Sequence, residues 1–271
     1  MSYVKSASES TPSFRLERQG LDLRFRQVRL AQRQWLTPGY VRIRLEGADL
    51  RGFVSLGSDD HLRIFFPDGP VFSLDELRAA PSREYTPLAW DADEGWLDLE
   101  FAIHGEPDGQ SQGVAAPWAA TAEIGAVAGI GGPRGSMVLT GRPDAWLLAG
   151  DETAVPAMRR FAHLMDASSV GRVFVEVPDA EHELPIETPP GVTVEQVHRG
   201  DAPAGTALAA RLDALTAADR PAGSVFGFVA AEQAIVRHGR ALLLERWEVP
   251  ADQTVVKGYW KRDESEYHAP H

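Results

Sequence analysis

Arg83-Glu84-Tyr85-Thr86 puts a guanidinium, an aromatic ring and a hydroxyl within four residues. Arginine pairs bidentately with phosphate, and a tyrosine ring packs on a planar heterocycle while a threonine hydroxyl bonds a ring nitrogen. The set suits a flavin with its diphosphate. It suits equally an edge strand with Arg83 and Glu84 in solvent and Tyr85 half-buried. Leu147 to Ala154 reads as a buried strand that breaks at Gly150 into a helix start, with Thr153 as N-cap. A helix start at the carboxyl end of a parallel strand is where nucleotides sit. This run lacks the G-x-G-x-x-G spacing, and Asp151 and Glu152 put two negative charges where a phosphate would come. Those acids also favour the helix dipole, so an ordinary strand–helix turn stays open.

Three other stretches carry chemistry-bearing residues. His104-Gly105 closes an expected strand, and a loop rich in small residues follows through Gly113, with Ala115, Ala116 and Trp118 beyond it. Such a loop lets backbone approach a pyrophosphate; a surface loop is the plainer reading. Gly132-Pro133-Arg134-Gly135-Ser136 adds a cation within a turn. Lys257-Gly258-Tyr259-Trp260-Lys261-Arg262 mixes cations with two aromatics. It reads as a terminal strand with a polar end, or as a contact patch for an anionic, aromatic or metal-chelating substrate. The eight histidines form no HExxH-type spacing, so no metal site is inferred. Hydrolase and kinase signatures are absent.

The elements that position these residues change character along the chain. Val41–Leu45, His61–Phe66, Leu97–Ile103 and Ile124–Ile130 read as short strands among frequent turn signals, which predicts a small barrel or sandwich. From Trp146 onward, apolar runs at 146–149, 173–177, 192–197 and 224–230 alternate with helical patterns at 155–165, 204–218 and 232–244. That alternation predicts a parallel sheet covered by helices. The boundary is expected near Arg142, dividing the chain into 1–142 and 143–271, with residues 1–13 without fixed structure.

Composition bounds the rest. A formal net charge of −12 opposes nucleic-acid binding, which rests on neutralising phosphates, and any anionic ligand needs local cations. The chain has no cysteine, so disulfides, thiolate nucleophiles and Cys-ligated metal centres are excluded. No apolar run reaches the ~18 residues of a membrane span, and no signal-peptide core is apparent. The expectation is a soluble, cytoplasmic monomer.

Taken in order, these stretches resemble the siderophore-interacting protein family, flavin-dependent ferric-siderophore reductases of the ferredoxin-reductase superfamily. The resemblance runs from about Val28 to Arg262 and includes His61-Leu62-Arg63, Arg83–Thr86, Phe101–Gly105, Gly132–Ser136, Leu148–Ala154, Val175–Val177 and Lys257–Arg262. It implies an N-terminal antiparallel Greek-key flavin barrel and a C-terminal α/β nicotinamide-binding domain. It implies FAD held by Arg83 at the diphosphate and by Tyr85 and Thr86 at the isoalloxazine. His104, Gly113, Ala115, Ala116 and Trp118 fall near the diphosphate and adenine. Gly150, Asp151, Glu152, Thr153 and Ala154 line the site for NADH or NADPH, with a ferredoxin as a further candidate donor. Arg63, Arg134 and Lys261, with Lys257 as an alternative member, form a cationic patch for a ferric siderophore. Electrons then pass from NAD(P)H through flavin to Fe(III), and Fe(II) leaves its hard oxygen donors more readily; no side chain acts as general acid or base.

The chain departs from the family pattern at Leu88, where an arginine is usual, and at Ala116, where a serine is usual. Ile124-Gly125-Ala126, Ala230-Ala231-Glu232 and Asp263 also differ. Losing one hydrogen bond to a charged phosphate costs about 1.5–3 kcal/mol. These departures motivate two alternatives: a flavin oxidoreductase serving another acceptor in a biosynthetic pathway, or a non-catalytic ligand-binding module that has lost flavin.

Overall fold

The computed structural model describes residues 13–103, 113–262 and 264. Of the expected unstructured start, only Ser13 is described, and it is fixed: its hydroxyl lies 2.5 Å from that of Ser224. His104 and Asp263 lie outside the described residues.

Among the described residues, nine strands occupy the first half: β1 (Phe14–Gly20), β2 (Phe25–Thr37), β3 (Tyr40–Glu46), β4 (Leu62–Phe65), β5 (Ser82–Tyr85), β6 (Ala89–Asp91), β7 (Trp96–Ala102), β8 (Val127–Gly131) and β9 (Gly135–Gly141). Two short helices, α1 (Leu74–Ala79) and α2 (Ala115–Thr121), lie among them. Seven of the strands form one antiparallel sheet in the order β5-β4-β8-β2-β3-β7-β6. Its two edges, β5 and β6, are consecutive in the chain and separated only by residues 86–88. A linker this short spans at most about 14 Å, so the sheet curls to bring its edges together. Alternating residues, among them Ile43, Leu62, Ile64, Leu99 and Phe101, fill the interior. Each such fully buried side chain contributes about 1.5–3 kcal/mol. The remaining two strands, β1 and β9, form a separate antiparallel pair.

The second half is a five-stranded parallel sheet of β10 (Ala145–Asp151), β11 (Val170–Val177), β12 (Val192–His198), β13 (Val225–Glu232) and β14 (Thr254–Trp260), in the order β12-β11-β10-β13-β14. Helix α3 (Val155–Ala162) covers one face with Val155, Met158 and Phe161 against Leu148 and Phe228. Helices α4 (Thr206–Asp213) and α5 (Ile235–Arg240) cover the other with Leu208, Leu212 and Ile235 against Leu147 and Val229. Cover on both faces is why β10 and β13 are apolar without alternation.

Three expectations shift. The helical pattern at 204–218 stops at Asp213, because Thr216 and Asp219 form a capping box that starts a separate 3₁₀ turn. Glu232 ends β13 instead of opening a helix, and α5 begins at Ile235 and runs on as a π-helical turn through Arg246. The strand expected from Ile124 begins only at Val127, after a turn in which Ala126 N–H donates to Glu123 O at 2.9 Å.

Candidate functional site at the domain seam

Strand register decides which of the predicted residues share a surface. Leu62 faces Tyr85 and Ile64 faces Arg83, whereas Arg63 faces Glu84. Opposed residues project to the same side of a sheet, so Arg83 and Tyr85 share one side of this ribbon and Arg63 lies on the other. There Arg63 Nη2 donates to Glu84 Oε1 at 2.8 Å. The Tyr85 ring packs on Phe101 with centroids 4.1 Å apart, and burial pushes its phenol pKa up. Thr86 is buried just past the strand end. Leu88 spends its backbone N–H on Asp98 O at 3.0 Å, which attaches the linker to β7. At α2, Gly113 and Trp118 line a cleft of about 380 Å³ together with Phe66 and Pro117. Trp118 packs on Phe66 with centroids 5.3 Å apart. Ala115 packs into the barrel core instead, and Ala116 beside it is half-buried.

The nucleotide-side turn is braced by its own acids. A Cβ on Gly150 would stand 2.5 Å from Ala154 Cβ and 2.7 Å from Ala230 O, so only glycine lets α3 pack this close to the sheet. Asp151 is fully buried and accepts from Thr153 N–H (2.9 Å), Thr153 Oγ1 (2.5 Å), Glu232 N–H (3.2 Å) and Trp260 Nε1 (2.8 Å). Burial and the neighbouring Glu152 raise its pKa. Glu152 pairs with Arg199 Nη2 at 2.6 Å. Glu176, at the end of β11, accepts from Gly205, Ala207 and Leu208 N–H at the start of α4. Glu232 accepts from Ala234 N–H at 2.7 Å before α5. Each helix start at the carboxyl edge of this sheet is thus met by a carboxylate of the chain itself. Thr153 is the only residue from Gly150 to Ala154 that is not buried.

The two halves meet where the tail strand crosses the barrel. On β14, Lys257 and Tyr259 share one side; Lys257 Nζ and Tyr259 OH both donate to the Asp59 carboxylate in the loop before β4. Burial, followed by the Asp59 charge, holds the Tyr259 pKa well above its ordinary value. The next residue, Trp260, reaches Asp151. One dipeptide therefore links the barrel's Asp59 loop to the β10 turn. The loop carrying Asp59 is fixed through Asp60, whose Oδ2 accepts from Ser55 Oγ (2.8 Å), Gly57 N–H (3.1 Å) and Ser136 Oγ (2.6 Å). From α3, Arg160 donates to Ser55 Oγ and O and to Pro87 O at 2.9–3.2 Å, and burial lowers its pKa. A second tie lies on β7, where buried Glu100 accepts from Tyr40 OH (3.0 Å), Arg42 (2.6 Å) and Arg159 of α3 (2.5 Å).

The four expected patch cations are not equivalent. Arg63 is paired with Glu84, Lys257 with Asp59, and Lys261 with Glu264 at 2.5 Å. Among the described residues Arg134 has no carboxylate partner, and it is exposed. Asp59, Glu100, Arg159 and Arg160 carry no sequence signal, because their partners lie tens to hundreds of residues away.

The arrangement defines a class of protein: an antiparallel barrel and a parallel nucleotide-type domain sharing one seam. The donor set fits FAD, with the Arg83 guanidinium, the half-buried Tyr85 ring, the Thr86 hydroxyl and an aromatic-lined cleft at Trp118. Residues 29–137 match the siderophore-interacting FAD-binding domain and residues 143–263 the siderophore-interacting protein family. A siderophore utilization protein from T. fusca is 31% identical and superimposes with a TM-score of 0.81, covering 93% of this chain and 99% of that one. Ferric vibriobactin reductase ViuB of Vibrio cholerae is 29% identical over 90% of this chain and 92% of its own. The NADPH-dependent ferric-chelate reductase of Escherichia coli K12 is 38% identical over 51% of this chain and 56% of its own. The chain belongs to the siderophore-interacting protein family.

Proposed function

We propose that this protein is an FAD-dependent ferric-siderophore reductase that takes electrons from NADH or NADPH and releases Fe(II). The observation that carries this reading is the join between the halves: Tyr259 bonds the barrel's Asp59, the next residue, Trp260, bonds Asp151, and Arg160 of α3 bonds Pro87 O beside Thr86. A firm join between the two halves supports a reading in which electrons pass from a donor bound in one to a flavin bound in the other. The names of the ferric reductases among its relatives support the same activity.

Arg83 would hold the FAD diphosphate, Tyr85 and Thr86 its ring system, and Gly113, Ala116 and Trp118 the adenine side. Bound FAD supplies the conversion of a two-electron donor into one-electron steps on iron. The chain's own residues do the positioning. Arg160 fixes Pro87 beside Thr86, Asp151 fixes Thr153 at the donor turn, and Arg134 offers an unpaired cation to an anionic chelate. We divide the chain at 142/143, the barrel with FAD and the second half with the nicotinamide nucleotide. We expect the protein to act as a monomer in the cytoplasm; no described helix is long and apolar enough to cross a membrane.

The test is Fe(II) formation, read with an Fe(II)-specific chelator, from several ferric siderophores, with free flavin and quinones as comparison acceptors. Preferred turnover of ferric chelates is expected. Equal indifference to every chelate would remove the siderophore from the reading.

A further inference from the structure

We propose that Asp59 is a specificity-determining residue that tunes the acceptor site to the net charge of the ferric chelate by neutralising Lys257. This inference rests on the ferric-reductase reading and goes beyond it by naming the charge class the site selects. Lys257 lies at the rim of the seam with 37% of its side chain exposed, so a chelate can reach it, while its partner Asp59 is 6% exposed. The ammonium does not stand alone before an incoming anion.

Asp60 beside Asp59 spends its carboxylate on Ser55, Gly57 and Ser136, and Arg160 donates to Ser55 next to it. Tyr259 contributes a neutral hydroxyl to the Asp59 carboxylate. Lys257 and Asp59 thus enter the seam as a matched ion pair. With Arg63, Lys257 and Lys261 each paired to a carboxylate, these three add little net positive charge to set against the −12 of the chain. The only cation of the predicted patch without a carboxylate partner among the described residues is Arg134. The site is therefore matched to chelates of low charge, such as neutral tris-hydroxamates, over polyanionic ones.

The experiment measures kcat/KM for an anionic chelate, ferric–EDTA, and for a neutral ferric tris-hydroxamate, and follows their ratio. Asp59→Asn keeps an oxygen for Lys257 or Tyr259 but removes the charge. The anionic-to-neutral ratio should rise about fivefold at low salt, the size of one unscreened unit charge at contact in water. Lys257→Gln leaves Asp59 unmatched and should lower the ratio by a similar factor. The double variant should return it to the wild-type value, and physiological salt should shrink each change. Ratios that do not move in either single variant, or a double variant that fails to restore the ratio, would overturn the proposal. Loss of bound flavin in both single variants would do so as well, assigning the pair to structure alone. A wild-type protein that reduces neither chelate would instead defeat the reductase reading.

Discussion

Tyr85 is the residue on which the flavin reading leans hardest. Its ring packs on Phe101 at the edge of the barrel core, whereas Arg134 stands exposed. Tyr85→Ala should weaken FAD retention and alter the visible spectrum; Arg134→Ala should leave the spectrum intact and slow reduction of anionic chelates. Equal spectral effects would contradict this division. Glu100 accepts three donors in a buried site, two of them arginines, and Glu100→Gln leaves Arg159 without its counter-charge. Removing one partner of such a cluster costs about 3–5 kcal/mol, so a denaturant midpoint close to wild type would sink that account. The local motifs at 83–86 and 150–154 were legible because their chemistry sits within a few consecutive residues. Asp59 and Glu100 were not, since a carboxylate in a loop or strand reads as solvated until its distant partner is known. Asp151 and Glu152, placed by sequence in the cofactor site, spend their carboxylates on Thr153, Trp260 and Arg199.

At the scale of elements, β10 and α3 approach through Gly150. Gly150→Ala would press a methyl group onto Ala154 and Ala230 O, and overpacking of this kind costs about 1–3 kcal/mol, read as a lowered melting temperature. The α4 start offers a pH signature. Burial raises the Glu176 pKa above its ordinary 4.5, outweighing the N–H bonds it accepts. With a folded pKa above the unfolded one, the native state holds more protons as pH rises from about 4.5, so this group's contribution to stability falls across that window. The stability of wild type relative to Glu176→Gln should therefore be lower at pH 7 than at pH 4; the opposite trend would show that the backbone bonds dominate. Strand periodicity was legible wherever one face is apolar, as in β3 and β7. It failed in β2, where buried Arg26 breaks the alternation with Val28 and Leu30. It overran at Glu232, where a polar residue at a strand end looks like a helix start.

Over the whole molecule, the division into a barrel and a parallel domain follows from where period-two patterning gives way to continuous apolar runs near residue 145. What no local pattern announces is how tightly the halves join, because Phe14 packs on Phe226 and Tyr40 belongs to the core of the second half. The net charge acts at this scale too. With three of the four patch cations paired, the field of the −12 protein outweighs the single exposed Arg134, so raising salt from low to physiological strength should increase kcat/KM for anionic chelates. Neutral chelates should respond little; a fall for anionic chelates would mean that a local cation outweighs the overall field. The central claim is met most directly by the visible spectrum of the purified protein under anaerobic conditions. A yellow protein that bleaches on adding NADH or NADPH and regains its colour on adding ferric siderophore is the predicted result. A colourless protein that cannot be loaded with FAD, or a bleached one that ferric siderophore fails to reoxidise, would contradict it.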